Sequence, residues 1–248
     1  MPSPGLSNVS PSRPLARALV TLAGTPADAP GVGARLAVIA GLAVDRVAAV
    51  AYASVTEARG AQHTTVAAGS DFARAVDQAL DGDGAGRVSD HGEPTAVPRT
   101  AAMRWPRFRD DAFDLRLRAS VSLPLYDGTG GAVAVLELYG HDYDAMAPVL
   151  AAVWSVYDPH GPLPDDSAGL PALEPGAAEL VDGFAEALVV RATILTALSM
   201  IMASGRCDPG HAGVILRRRA AAAGHRPGRR RGRAHRAERL NGPRTPVP

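Results

Sequence analysis

A chain of 248 residues has room for one large domain or two small ones, and 46% hydrophobic content supports a packed core over most of it. The single cysteine, Cys207, excludes an intramolecular disulfide framework and fits a reducing compartment. The formal net charge of +1 hides an asymmetry, because eleven arginines and one acid from Ile215 onward set a basic end of +10 against a body of −9.

That basic end points to a polyanionic partner or to a solvated run of charge. Every basic side chain counted as Lys or Arg is arginine. Aromatic residues make up only 4%, so the core is expected to pack small side chains closely. Residues 1–14 are Pro/Ser-rich, without a basic start followed by an apolar run. They are expected to be disordered rather than a signal peptide. The apolar stretch Ala187–Ala203 is short for a membrane span and carries Arg191, so a soluble helix, no membrane and a cytoplasmic location are expected.

Leu15, Leu19 and Leu22 recur at helical spacing, as do Val32, Leu36, Ile39 and Leu42. Arg46–Ser54 is rich in Val, Ala and Tyr and reads as a strand, with a return strand over Gln62–Ala67. Asp71 is placed to cap a helix through Phe72, Val76 and Leu80, and Asp81–Gly86 is a turn by composition. Ser120–Leu125 and Ala132–Tyr139, joined through Tyr126-Asp127-Gly128, form the clearest hairpin. Val121, Leu123 and Leu125 lie on one side of its first strand, and Ser120 and Ser122 on the other. A helix is expected from about Asp144 to Val156.

Residues 158–176 are rich in Pro, Gly and acids and read as an interdomain linker. Glu179–Ala203 is expected as one helix. On it Phe184, Leu188, Arg191, Leu195, Leu198 and Met202 form a seam with one charged member, suited to a small bundle or a homodimer. A shorter helix spans His211–Ala223, and beyond Gly224 the Arg-rich end has no apolar periodicity and is expected to be disordered. The fold class expected is α+β, an antiparallel sheet flanked by helices, followed by an all-α segment.

Residues 15–157 resemble a GAF domain of the actinobacterial kind. The resemblance rests on Thr100–Phe108 with Met103, Trp105 and Pro106, on Leu117–Leu125, and on Leu138–Asp142. Residues 177–223 resemble the first part of an ANTAR domain, through Ala187-Leu188, Arg191, Ile194, Ala197, Met202, Leu216-Arg217 and Ala220. The chain departs from that pattern at Ser199, at Ala212-Gly213 and from His225 onward, where no amphipathic third helix follows. The resemblance implies a non-enzymatic regulator: a sensor domain coupled to an incomplete RNA-binding antiterminator module.

It further implies an RNA-hairpin partner contacted by Arg191, Arg217, Arg218 and Ala220, and an unidentified small-molecule ligand near Trp105, Phe108, Tyr126 and Tyr139. Arginine suits RNA because guanidinium binds phosphate and stacks on loop bases. The plainer reading of Arg191 is a structural cation paired with an acid such as Glu186, and that of Arg217–Arg219 is a solvated helix face. The plainer reading of the aromatics is as core lids. His141-Asp142 reads as a strand end followed by a helix cap rather than a metal or acid–base pair. No catalytic constellation, metal set or phosphate loop can be assembled, and no cofactor is identified.

Overall fold

The computed structural model of the chain describes residues 12–26, 28–59, 62–68, 95–97, 117–160 and 169–224. Helix α1 (Pro14–Ala23) starts on a proline, whose fixed φ suits the first helical turn. It buries Leu15, Leu19 and Leu22, the three leucines that sequence spacing puts on one face. Helix α2 (Val32–Arg46) follows Gly31, at a φ of 85° that favours glycine, and buries Val32, Leu36 and Ile39. The strand expected over Arg46–Ser54 begins only at Tyr52. Helix α2 runs through Arg46, and Val47 and Val50 reach the core on a turn closed by Val50 N–H donating to the Val47 carbonyl at 2.9 Å.

Five strands follow: β1 (Tyr52–Arg59), β2 (Gln62–Ala68), β3 (Thr95–Val97), β4 (Ala119–Tyr126) and β5 (Ala132–Gly140). Their spatial order is β2-β1-β5-β4-β3, and every neighbouring pair is antiparallel. Two hairpins, β1–β2 and β4–β5, are thus zipped together along β1 and β5. The mixed α and β composition with an antiparallel sheet agrees with the expected class. The helix expected after Asp71 and the turn at 81–86 lie outside the described residues.

The two-residue period of the strands divides the sheet into unlike faces. One carries Ala53, Val55, Val121, Leu123, Leu125, Ala134, Leu136 and Leu138. All belong to the apolar core, together with leucines of α1 and α2. Helix α3 (Tyr143–Tyr157) adds Met146, Val149, Leu150 and Val153 to that core. It begins at Asp142, whose carboxylate accepts the backbone N–H groups of Asp144 and Ala145, the cap expected from the sequence.

Helix α4 (Pro175–Gly205) contains 31 residues, longer than the expected Glu179–Ala203. Glu174 fixes its start: the carboxylate accepts N–H groups from Gly176 and Ala177 at 2.8 Å each, and from Ala48 at 3.1 Å. A side chain at Gly176 would run into the Arg46 carbonyl, so glycine permits the close approach to α2. Glu179 reaches back to cap α1, accepting Leu15 N–H at 2.7 Å and Ala16 N–H at 3.3 Å. Ala177, Leu180, Val181 and Phe184 are members of the same core as the sheet.

The chain divides into two compact units, Met1–Met200 and Ile201–Pro248, so the division falls inside α4. The Pro-rich segment around 158–176 does not separate them. Residues 177–200, grouped by sequence resemblance with the helical output segment, belong to the sheet unit. The physical reason is burial. A helix that closes the core with Leu180 and Phe184, and whose Glu179 carboxylate accepts two N–H groups from the start of α1, cannot be independent of it. In the second unit, helix α5 (Pro209–Gly224) follows a short turn.

Candidate functional site

The other face of the sheet is polar and yet buried. Strand register aligns Ser54 of β1, Glu137 of β5 and Ser122 of β4 in one row, with Thr95 of β3 opposite Ser122. The rows on either side are Tyr52–Tyr139–Ser120 and Thr56–Val135–Pro124. Ser54, Thr56, Ser122, Glu137 and Tyr139 are all buried, at 6% exposure or less.

Burying hydroxyls and a carboxylate is costly unless each finds a partner. Ser122 Oγ donates to Glu137 Oε2. Ser54 Oγ, fully buried, has no hydrogen-bond partner among the described residues. A buried hydroxyl left in that state typically costs about 1–3 kcal/mol. A purely structural sheet face would be better served by Ala or Val at this position. The row combines hydroxyl donors and acceptors, a carboxylate and the flanking ring of Tyr139. The sequence carried a signal for it, since Glu137 interrupts an otherwise apolar strand and Ser120 and Ser122 alternate against valine and leucine. Those residues were not among the expected ligand contacts.

The four aromatics expected around a ligand do not form one group. Trp105 and Phe108 lie outside the described residues. Tyr139 stands on the polar face beside Glu137 and Ser122. Tyr126 belongs to the apolar core on the helical side, because β4 shifts register between Leu125 and Tyr126. Burial pushes the Tyr126 phenol up to about 12, against an opposing pull from Arg191 and a smaller upward push from Tyr157.

Arg191 explains much of that environment. Its guanidinium lies 4.4 Å from the centroid of the Tyr126 ring, and its Nε donates to the Gly130 carbonyl at 3.0 Å. The acid suggested as its partner, Glu186, instead pairs at the surface with Arg13, which also meets Asp182 at 2.9 Å. Arg191 is thus a packed, satisfied cation within the sheet unit, fastening α4 to the β4–β5 turn.

That turn is built to be held. Asp127, 4% exposed, accepts from the backbone N–H of Thr129 at 2.8 Å and from its hydroxyl at 2.6 Å. Gly128 N–H donates to the Thr25 carbonyl at 2.7 Å, and a Cβ at Gly128 would come within 2.9 Å of the Thr25 backbone. Gly130, at a φ of 79°, leaves room for Leu195 of α4. The tip of the hairpin is therefore gripped by the end of α1 on one side and by α4 on the other.

Arg217, Arg218, Arg219 and Ala220 are exposed on α5, in the second unit. Successive helical residues project about 100° apart, so these three arginines form a basic collar rather than one stripe. Asp208 begins the helix by accepting His211 N–H at 2.9 Å, and that hydrogen bond holds its carboxyl below the ordinary carboxylate value. Cys207 is half-buried. His141 is exposed and meets Tyr52 edge to face at 5.4 Å between centroids. Among the described residues no group of three or more His, Cys, Asp or Glu is placed to hold a metal. Helix α4 is long and apolar enough to cross a membrane by length and composition; its first ten residues bury Leu180 and Phe184 in the core. No known protein family, curated protein or solved structure matches the chain.

Proposed function

We propose that this chain is a signal-sensing transcriptional regulator of the GAF–ANTAR type. Its sheet unit takes a small polar molecule against the Ser54–Glu137–Ser122 row, and its second unit presents Arg217, Arg218 and Ala220 to an RNA hairpin. The observation that carries the sensor half is the fully buried Ser54 hydroxyl, unpartnered among the described residues, on a buried polar sheet face. The output half is supported by the exposed basic collar on α5 and by the sequence resemblance of that region.

Helix α4 belongs to the sheet unit as far as Met200 and continues into the second unit. A ligand that shifts β4 or β5 therefore has a direct mechanical route, through the Gly130–Arg191 hydrogen bond, to the helix that leads into the output segment.

A second reading, a ligand sensor with no nucleic-acid function, is favoured by Arg191. Of the residues expected to meet RNA, it is already engaged by Gly130 and Tyr126. RNA binding by the full chain separates the two. Paired-hairpin and scrambled RNAs are titrated at low and moderate salt, with R217Q/R218Q as the control. Hairpin-selective binding that survives moderate salt and falls at least tenfold in the double variant supports the regulator. Binding indifferent to sequence and erased by salt is loose arginine–phosphate attraction, and leaves the sensor reading.

A further inference from the structure

Five large hydrophobic side chains are exposed among the described residues, and four of them, Val189, Leu195, Met200 and Val214, lie on α4 and α5. The fifth, Val38, stands apart on α2 at 54% exposure. It lines a groove of about 410 Å³ between α1 and α2.

The groove runs along the outward sides of the two helices, with Ala18 and Leu42 partly buried against the core. Helix α1 contributes Pro14, Arg17, Ala18 and Thr21, at the i, i+3, i+4, i+7 spacing that makes one stripe. Helix α2 contributes Arg35, Val38 and Leu42, again on one stripe. The floor is aliphatic and two guanidinium groups stand along it. No acid lines the groove, and neither Arg17 nor Arg35 makes an ion pair among the described residues. The third arginine of this region, Arg13, shows the contrast, since it is neutralised by Asp182 and Glu186.

We infer that this groove binds a monomeric anionic amphiphile, a carboxylate head on a single medium-length acyl chain. The carboxylate lies between Arg17 and Arg35, and the chain lies along Ala18, Val38 and Leu42. Guanidinium binds carboxylate through paired, charge-assisted hydrogen bonds. The aliphatic floor supplies the burial that holds the chain. Nine lining residues fall far short of the roughly 20–30 per side of a protein–protein interface, whereas a volume of about 410 Å³ falls within the range of small-molecule sites. The groove lies on the helical side of the sheet, so the inference is independent of the ligand site proposed on the polar face.

The test is calorimetric titration of the full chain with decanoate, below its aggregation concentration, against decyltrimethylammonium of equal chain length and opposite charge. Wild-type protein is expected to bind one decanoate per chain, saturably, and the ammonium probe at least tenfold more weakly. The exposed-site variant R17E/R35E is expected to reverse that order while keeping the wild-type circular dichroism spectrum. V38N is expected to weaken decanoate several-fold without changing the charge preference. Equal binding of both probes, no saturable decanoate binding, binding only to anionic vesicles, or an unchanged preference in R17E/R35E would each overturn the inference.

Discussion

Phe184→Ala tests most directly whether the first half of α4 is structurally part of the sheet unit. Phe184 is 1% exposed and belongs to the core that contains Leu15, Leu36 and Leu136. Truncating a buried phenylalanine to alanine removes its transfer free energy and leaves a cavity, together about 3–5 kcal/mol. A unit of this size loses roughly 2–4 °C of Tm per kcal/mol, so a fall of about 10 °C is expected. Met200→Ala on the same helix is the control. Met200 is 68% exposed, and its truncation should change stability by no more than about 0.5 kcal/mol. Urea unfolding followed by circular dichroism measures both. Because the chain has two compact units, the curve is fitted for one transition and for two. Phe184→Ala should shift the transition that melts the strands. If the variant loses less than about 1 kcal/mol, or if only a small, strand-independent transition moves, α4 is not part of the sheet unit's core and the reasoning fails.

Removing the Arg191 fastening should cost about 2 kcal/mol, combining a charge-assisted hydrogen bond with a cation–π contact. Arg191→Gln and Arg191→Lys should both show most of that loss in denaturant midpoints, because lysine lacks the planar fork that serves the Gly130 carbonyl and the Tyr126 ring together; full recovery in the lysine variant would count against this geometry. Tyr126 gives a pH dependence. Its phenol is held protonated to about 12 in the folded chain, above its ordinary value of 10.0. The folded state therefore keeps its full stability below pH 10, and loses up to about 2–3 kcal/mol as pH rises from 10 towards 12. Tyr126→Phe should remove that component of the alkaline slope, and an identical slope in both proteins would contradict it. Arg206 adopts a φ of 48°, the left-handed region, just after α4 ends. Arg206→Gly should stabilise the second unit by about 1 kcal/mol, seen as a raised thermal midpoint of helix loss, and a lowered midpoint would show that the arginine side chain matters more than its backbone strain.

Most elements were legible because their signals are local. The leucine spacing of α1, the valine–serine alternation of β4, the glycine-rich turn after Tyr126 and the Asp142 cap each depend on a few neighbouring residues and on backbone geometry. The expectation for Arg46–Ser54 failed at its start for a similarly local reason. Val47 and Val50 are β-prone, but the helix before them extends to Arg46 and carries them into the core on a turn. At the candidate site, the sequence set Ser120 and Ser122 opposite the apolar side chains of β4. Nothing in it indicated that Ser54 on a distant strand would share the row of Ser122, because register between β1 and β5 is fixed by the pairing of two hairpins.

The sequence by itself determined the α+β class, the β4–β5 hairpin, the two N-terminal amphipathic helices and the charge division between body and tail, since each follows from periodicity or composition along the chain. Tertiary structure alone decided the rest. Tyr126 and Tyr139 read together as aromatics lining one ligand pocket or serving as core lids, yet a register shift sends Tyr126 to the helical side while Tyr139 stays on the polar face. Arg191 read as a residue seeking an acid, and its partners proved to be a backbone carbonyl and a ring more than 60 positions away. The boundary at a Pro-rich segment read as a domain linker, and the helix after it closes the core of the domain before it. Each of these depends on contacts between residues far apart in sequence, whose energies exist only when the core is assembled.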